Sequence, residues 1–66
     1  MGITITALAT ELGVPAADII ALAGQMDDAV ADSTEHGRIE TADGTYADVT
    51  LTDEAADAIR EHIARQ

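Results

Sequence analysis

The apolar positions of this 66-residue chain change period several times, and each change marks an element. Ile3, Thr4 and Ile5 alternate β-branched residues, which fit a pleated surface, and predict a short β segment. Thr6 is then placed to cap a helix beginning near Ala7. Leu8 and Leu12 lie four apart and share one face of that helix. Gly13 suits the left-handed residue that closes a helix, and Val14 after it can pack back on the last turn. Pro15 fits the first turn of a second helix, where its missing N–H would have no partner anyway. Asp18 lies near the positive end of that helix. Ile19, Leu22, Ala23, Met26 and Val30 then keep helical spacing and make one apolar stripe. Gly24 interrupts the stripe and leaves two readings open. Either one helix runs through it, or the helix ends there and residues 26–31 form a turn or a short third helix.

Residues 32–37 are a polar connector. Residues 38–41, a turn at Ala42, Asp43 and Gly44, and residues 45–51 then read as a β-hairpin. A two-residue Asp43-Gly44 turn would pair Ala42 with Thr45 and scatter the apolar residues over both faces. A three-residue loop with Gly44 in the left-handed region pairs Thr41 with Thr45 and Ile39 with Ala47. In that register Ile39, Ala47, Val49 and Leu51 share one face, and one buried face is what specifies pairing. Thr52 is a good cap for a final helix, with Asp53 and Glu54 in its favourable first turn. Ala56, Ile59 and Ile63 face the core. Arg60, His62 and Arg65 fall toward the C-terminal end, and Glu61 and Arg65 make an i,i+4 pair. The expected architecture is a single α+β domain over residues 1–66, in the order β, α, α, β-hairpin, α.

The pattern changes meaning once size and charge are added. A chain this short buries only about 60% of its unfolded surface. With no cysteine and Tyr46 as its only aromatic residue, its core is a thin one of small aliphatics. Oligomerisation or a partner commonly supplements such a core. No stretch approaches the roughly 18 apolar residues of a membrane span. The segment MGITITALAT has neither the basic start nor the long apolar centre of a signal peptide, which points to a cytoplasmic protein. Thirteen acidic residues stand against three Arg and no Lys, for a net charge of −10. Residues 1–26 carry −2, residues 27–45 carry −5 and residues 46–66 carry −3. Duplex DNA carries one negative charge per about 1.7 Å and would repel this protein at ordinary salt. A salt-loving source, or a GC-rich genome that favours Ala, Asp, Thr and Arg over Lys, would produce the same composition.

Residues 3–22 carry a further pattern: Ile3, Leu8-Ala9, Glu11-Leu12-Gly13-Val14, Asp18-Ile19-Ile20 and Leu22. It resembles the helix-turn-helix opening of MerR-like and excisionase-like DNA-binding domains. It is also similar to the N-terminal domain of bacterial translation initiation factor two. The resemblance implies a small winged helix-turn-helix fold with the hairpin at 38–51 as wing, and a second helix and wing that touch the partner. On a nucleic acid those contacts would fall to Ala16, Ala17, Ala21, Gln25 and Arg38. None of the four on the helix is a cation, so the helix can neither hold phosphates by charge nor read bases with Arg or Lys.

Candidate chemistry is sparse. Asp32, Ser33 and His36 lie close in sequence, but a catalytic triad needs a fixed, partly buried geometry that a polar connector seldom gives. Asp28, Asp32 and His36 would have i,i+4 metal-ligand spacing only if a helix ran that far, and Gly37 and the strand onset at Arg38 argue against it. Nothing points to catalysis or to a cofactor. Asp27, Asp28, Asp32, Glu35, Glu40 and Asp43, with Arg38 among them, remain as a candidate partner-binding surface. It would meet a basic protein, or imitate DNA phosphates before one. The plain alternative is a solvated face that keeps a small protein dissolved. Three functions are therefore expected: an interaction module with a protein partner, in a regulatory or mobile-element setting; a DNA- or RNA-binding regulator from a high-salt cytoplasm; or a self-associating structural or assembly subunit.

The charge yields a first prediction. Ten net negative charges repel one another in the folded state, and a small core leaves little margin to absorb that. Added monovalent salt should raise the thermal midpoint substantially, and acidification to about pH 5 should do so mildly. Asp27→Asn and Asp28→Asn should be neutral or stabilising in the isolated protein. Destabilisation by either, read by thermal unfolding, would show that those aspartates hold local structure.

Overall fold

The computed structural model describes residues 2–66; Met1 lies outside them. The protein is a small α+β domain of three helices and antiparallel strands. The order is β1 (Ile3–Thr4), α1 (Ile5–Leu12), α2 (Ala16–Gly24), β2 (Val30–Asp32), β3 (Arg38–Thr41), β4 (Gly44–Ala47), β5 (Thr50–Leu51) and α3 (Asp53–Ala64). No single helix among the described residues is long and apolar enough to cross a membrane.

α1 starts two residues earlier than the sequence suggests. Its cap is Thr4, whose hydroxyl accepts from Ala7 N–H at 3.2 Å, and not Thr6. The two remaining free donors of the first turn go to residues more than forty positions away. Ile5 N–H donates to the Val49 carbonyl at 3.1 Å, and Thr6 N–H donates to the Asp48 carboxylate at 3.1 Å. The repeat Ile-Thr-Ile-Thr offers two caps of equal local quality, and these long-range acceptors select the first. At the other end Gly13 takes the left-handed conformation (φ 67°), and Val14 N–H reaches back to the Ala9 carbonyl at 3.1 Å. That is the closure expected from Gly13 and Val14. The chain bends by 118° between α1 and α2.

α2 stops at Gly24, so of the two readings the one that ends the helix there holds, with a turn and not a third helix after it, and only as far as Ala29. Residues 26–28 form a bend and turn, with Asp28 at φ 55°, and Val30 enters a strand. Val30 therefore leaves the apolar stripe and is exposed. The hairpin is present, but in another register. Thr41 faces Gly44, Glu40 faces Thr45, Ile39 faces Tyr46 and Arg38 faces Ala47. The turn residues are Ala42 and Asp43. Thr41 fixes the turn by accepting from Asp43 N–H at 3.2 Å and donating to the Gly44 carbonyl at 2.9 Å. The expected register assumed one unbroken strand from Thr45 to Leu51. The strand instead breaks at Asp48 and Val49, so Ala47 and Leu51 need not share a face, and Ile39 stands opposite Tyr46.

β5 lies at the centre of the second sheet, in the order β1-β5-β2, all antiparallel. Ile3 and Val30 both pair with Leu51, and β2 carries an irregularity between Val30 and Asp32. β2 with β3, and β4 with β5, are thus the two arms of one long ribbon. His36 N–H to the Asp48 carbonyl (2.8 Å) and Asp48 N–H to the Gly37 carbonyl (2.9 Å) hold its middle. α3 follows the expectation closely: Thr52 Oγ1 accepts from Ala55 N–H at 3.1 Å, and Ala56 and Ile59 are buried while Ile63 is half-buried.

Leu8, Ile19, Leu51 and Ile59 are fully buried and come from α1, α2, β5 and α3 in turn. Ile5, Ala9, Ala29, Ile39, Ala55 and Ala56 complete the buried core. Truncating one large aliphatic to Ala in such a core costs about 2–5 kcal/mol. A native domain has only about 0.05–0.15 kcal/mol of stability per residue, so each of the four is close to indispensable.

Candidate functional site

All seven residues of the expected partner surface are exposed, but they do not form one cluster. Asp27 and Asp28 lie in the turn after α2. Asp32 ends β2, Glu35 lies in the connector, and Arg38 and Glu40 alternate with buried Ile39 on β3. Asp43 is at the tip of the hairpin. The acids thus run along the ribbon from its base to its tip, which an extended chain does and a helix would not.

The base gains acids that sequence reasoning assigned elsewhere. An open concavity of about 680 Å³ is lined by Met26, Asp27, Asp28, Thr52, Asp53, Glu54 and Ala55. It brings Asp27 and Asp28 to the N-terminus of α3. Asp53 and Glu54 had been read only as partners of the helix dipole, and nothing in the spacing of residues 25 positions apart announces the meeting. The Thr52 N–H donates to the Ala29 carbonyl at 2.8 Å, and this bond holds the two segments together. Asp28 sits in the left-handed region, which Asn and Gly tolerate and Ala does not, so Asn replaces its charge without adding strain.

The other sequence candidates separate. Asp28 in a turn, Asp32 in a strand and His36 in irregular chain share no helix, so their i,i+4 spacing has no geometric meaning. Among the described residues, no group of three or more His, Asp or Glu could hold a metal ion. Asp32 accepts from Thr34 N–H at 2.9 Å, while His36 Nε2 lies 3.3 Å from Thr50 Oγ1. The side chains suggested for a triad therefore face different partners. On α2, Ala17, Ala21 and Gln25 are exposed, whereas Ala16 is half-buried against the core and is withdrawn from any contact face.

Among the described residues the one buried acid is Asp48, 9% exposed, which the sequence pattern places merely inside a strand. Its signal was a single carboxylate between Ala47 and Val49 in an otherwise apolar run. The basic residues of α3 are committed within the fold. Arg60 grips Glu11 with two nitrogens, at 2.6 and 3.1 Å, and holds Asp57 at 2.9 Å. Arg65 pairs with Glu61. Arg38 has no ion pair among those the described residues show and is the cation left on the ribbon.

No known protein family, curated protein or solved structure matches the chain.

Two carboxyls held by hydrogen bonds, one of them also in an ion pair, set the acid limb of stability. The Arg60 hydrogen bond, aided by its charge, lowers the Glu11 carboxyl below the ordinary 4.5. The Thr34 backbone N–H, then its hydroxyl, lowers Asp32 below the ordinary 3.8. A depressed carboxylate contributes stability above its unfolded value and loses it as pH falls through the folded value. Relief of repulsion works the other way at milder pH. The thermal midpoint should therefore pass through a maximum near about pH 5 and decline below about pH 4. Glu11→Gln should be modestly less stable than the parent at neutral pH, since the pair is exposed, and the gap should close in acid. A gap that stays constant from pH 7 to 3 would contradict this.

Proposed function

We propose that this chain is a small interaction module of winged helix-turn-helix type that binds a basic protein partner through its acidic surface, in a regulatory or mobile-element setting. On this reading α1 and α2 are the two helices of the motif, and the β3–β4 hairpin is its wing. The 118° bend across residues 13–15, with left-handed Gly13 in the turn, supports the motif, whose helices meet at about 90–120° across a short turn. The partner class rests on one observation. The exposed face of α2 presents Ala17, Asp18, Ala21 and Gln25, and the turn after it together with the ribbon exposes six acids, Asp27, Asp28, Asp32, Glu35, Glu40 and Asp43, against Arg38. A helix made to enter a DNA groove needs cations at these positions, and this one offers a carboxylate.

A second reading keeps the fold and restores the nucleic acid. At 1 M salt the Debye length is about 3 Å and net repulsion fades. Ala17, Ala21 and Gln25 on α2, with Arg38 on β3, would then make the contacts, helped by backbone donors at the start of α2.

Two measurements separate the readings. In a low-salt pull-down from the source cell, with retained proteins eluted by rising potassium chloride and each titrated against the purified chain, the first expects a basic nucleic-acid-binding protein. Its affinity should fall steeply with salt and fall again for the Asp27→Asn/Asp28→Asn double variant. Recovery of no basic partner would end that reading. The second expects a shifted band with duplex DNA or RNA somewhere between low and multimolar potassium chloride, and a folded protein that shifts nothing across the range removes it.

A further inference from the structure

The sheet built on β5 has two outer edges, and they differ. β1 is half-buried and runs directly into α1. Beside it Gly2 approaches β5 so closely that an added Cβ would come within 2.3 Å of the Leu51 carbonyl and of Thr50 Cγ2. β2 is open. Val30, Ala31 and Asp32 are all exposed, and β5 is the strand they pair with. Val30 is 48% exposed and is one of two large hydrophobic residues left on the described surface, the other being Tyr46 at 40%. Carboxylates stand at both ends of this strand. Asp27 and Asp28 precede it, beside Asp53 and Glu54 across the concavity, and Asp32 and Glu35 follow. No Lys or Arg occurs between residues 27 and 37.

We infer that the outer edge of β2 is where an extended, basic segment of the partner protein docks, adding itself as a strand beside Val30–Asp32. This rests on the reading of the chain as a module for a basic protein, and it specifies the place and the backbone form of the contact. The open N–H and C=O groups of an edge strand supply main-chain hydrogen bonds that do not depend on the visitor's sequence. Val30 offers a contact to one apolar side chain of the visitor. The carboxylates at the two ends select Lys or Arg flanking that position, because opposite charges across a strand pair stabilise it and like charges do the reverse. The same rule excludes a second copy of this chain: pairing β2 with β2 would set the most acidic third of each molecule against itself.

The test is an amide-resolved NMR titration of the full chain at low salt with two synthetic peptides. One is a ten-residue alternation of lysine and valine. The other keeps the same lysines but carries proline in place of its two central valines, which removes strand pairing and preserves charge. The proposal expects the alternating peptide to shift and slow the exchange of amides at residues 30–32, the proline peptide to bind far more weakly, and Val30→Thr to weaken the first peptide several-fold. Equal shifts from both peptides would overturn strand addition and leave the acidic-surface reading standing. Shifts centred on Tyr46 or α2 would overturn the site. Failure of both peptides to bind at low salt would sink the inference together with the reading beneath it. Concentration-dependent shifts at residues 30–32 without peptide would identify a second copy as the occupant and overturn the basic one.

Discussion

Three backbone donors at the start of α1 hold this structure in one arrangement. Ile5, Thr6 and Ala7 N–H donate to the Val49 carbonyl, the Asp48 carboxylate and the Thr4 hydroxyl. Two of these acceptors belong to the ribbon and one to the strand before the helix. An eight-residue helix is far too short to be stable alone in water. Its orphan donors are therefore satisfied by a segment that arrives from the other end of the sequence, and the helix and the ribbon form only together. The carboxylate thus caps the positive end of the helix from outside the helix's own sequence. Asp48 is the buried acid of a chain whose other acids lie in water, and its burial has this structural cause.

The break in the ribbon follows from the same junction. Asp48 keeps its backbone bonds to His36 and Gly37 across the ribbon while its carboxylate and the Val49 carbonyl turn to α1, and the strand resumes at Thr50 as the centre of the other sheet. There Leu51 joins Leu8, Ile19 and Ile59 in the core. In that sheet β2 lies on an outer edge, with acids at both ends. Ion pairs hold part of the charge where the helices pack, as at Glu11, Arg60 and Asp57, and the imbalance is largest along residues 27–45.

Much of this was legible in the residues. Gly13 and Val14 announce a helix closure, and Thr52 with Asp53 and Glu54 announce a helix start, because each signal acts within a few residues. The hairpin's location was legible for the same reason. Its register was not, since the apolar alternation was counted through Asp48 as though the strand continued. Thr6 is as good a cap as Thr4 by local propensity, and the choice of Thr4 is made by acceptors on Asp48 and Val49. Val30 matched a helical stripe by spacing while its place was decided by pairing with Leu51. At the candidate site, the exposure of the acids could be read from their residue types. The meeting of Asp27 and Asp28 with Asp53 and Glu54 could not, because it depends on how α3 docks.

The most direct test of the central claim is hydrogen exchange at the amides of α1 and of the hairpin, in the parent and in Asp48→Ala, with Asp48→Asn as a control that keeps an acceptor. If the junction couples the two, the Thr6 amide exchanges as slowly as the core of α1 in the parent. Asp48→Ala then lowers stability by about 1–2 kcal/mol and speeds exchange in α1 and in the β3–β4 hairpin together, with Asp48→Asn between. A Thr6 amide that exchanges like an open one, or an Asp48→Ala variant that loosens one element and leaves the other as slow as before, would contradict the account.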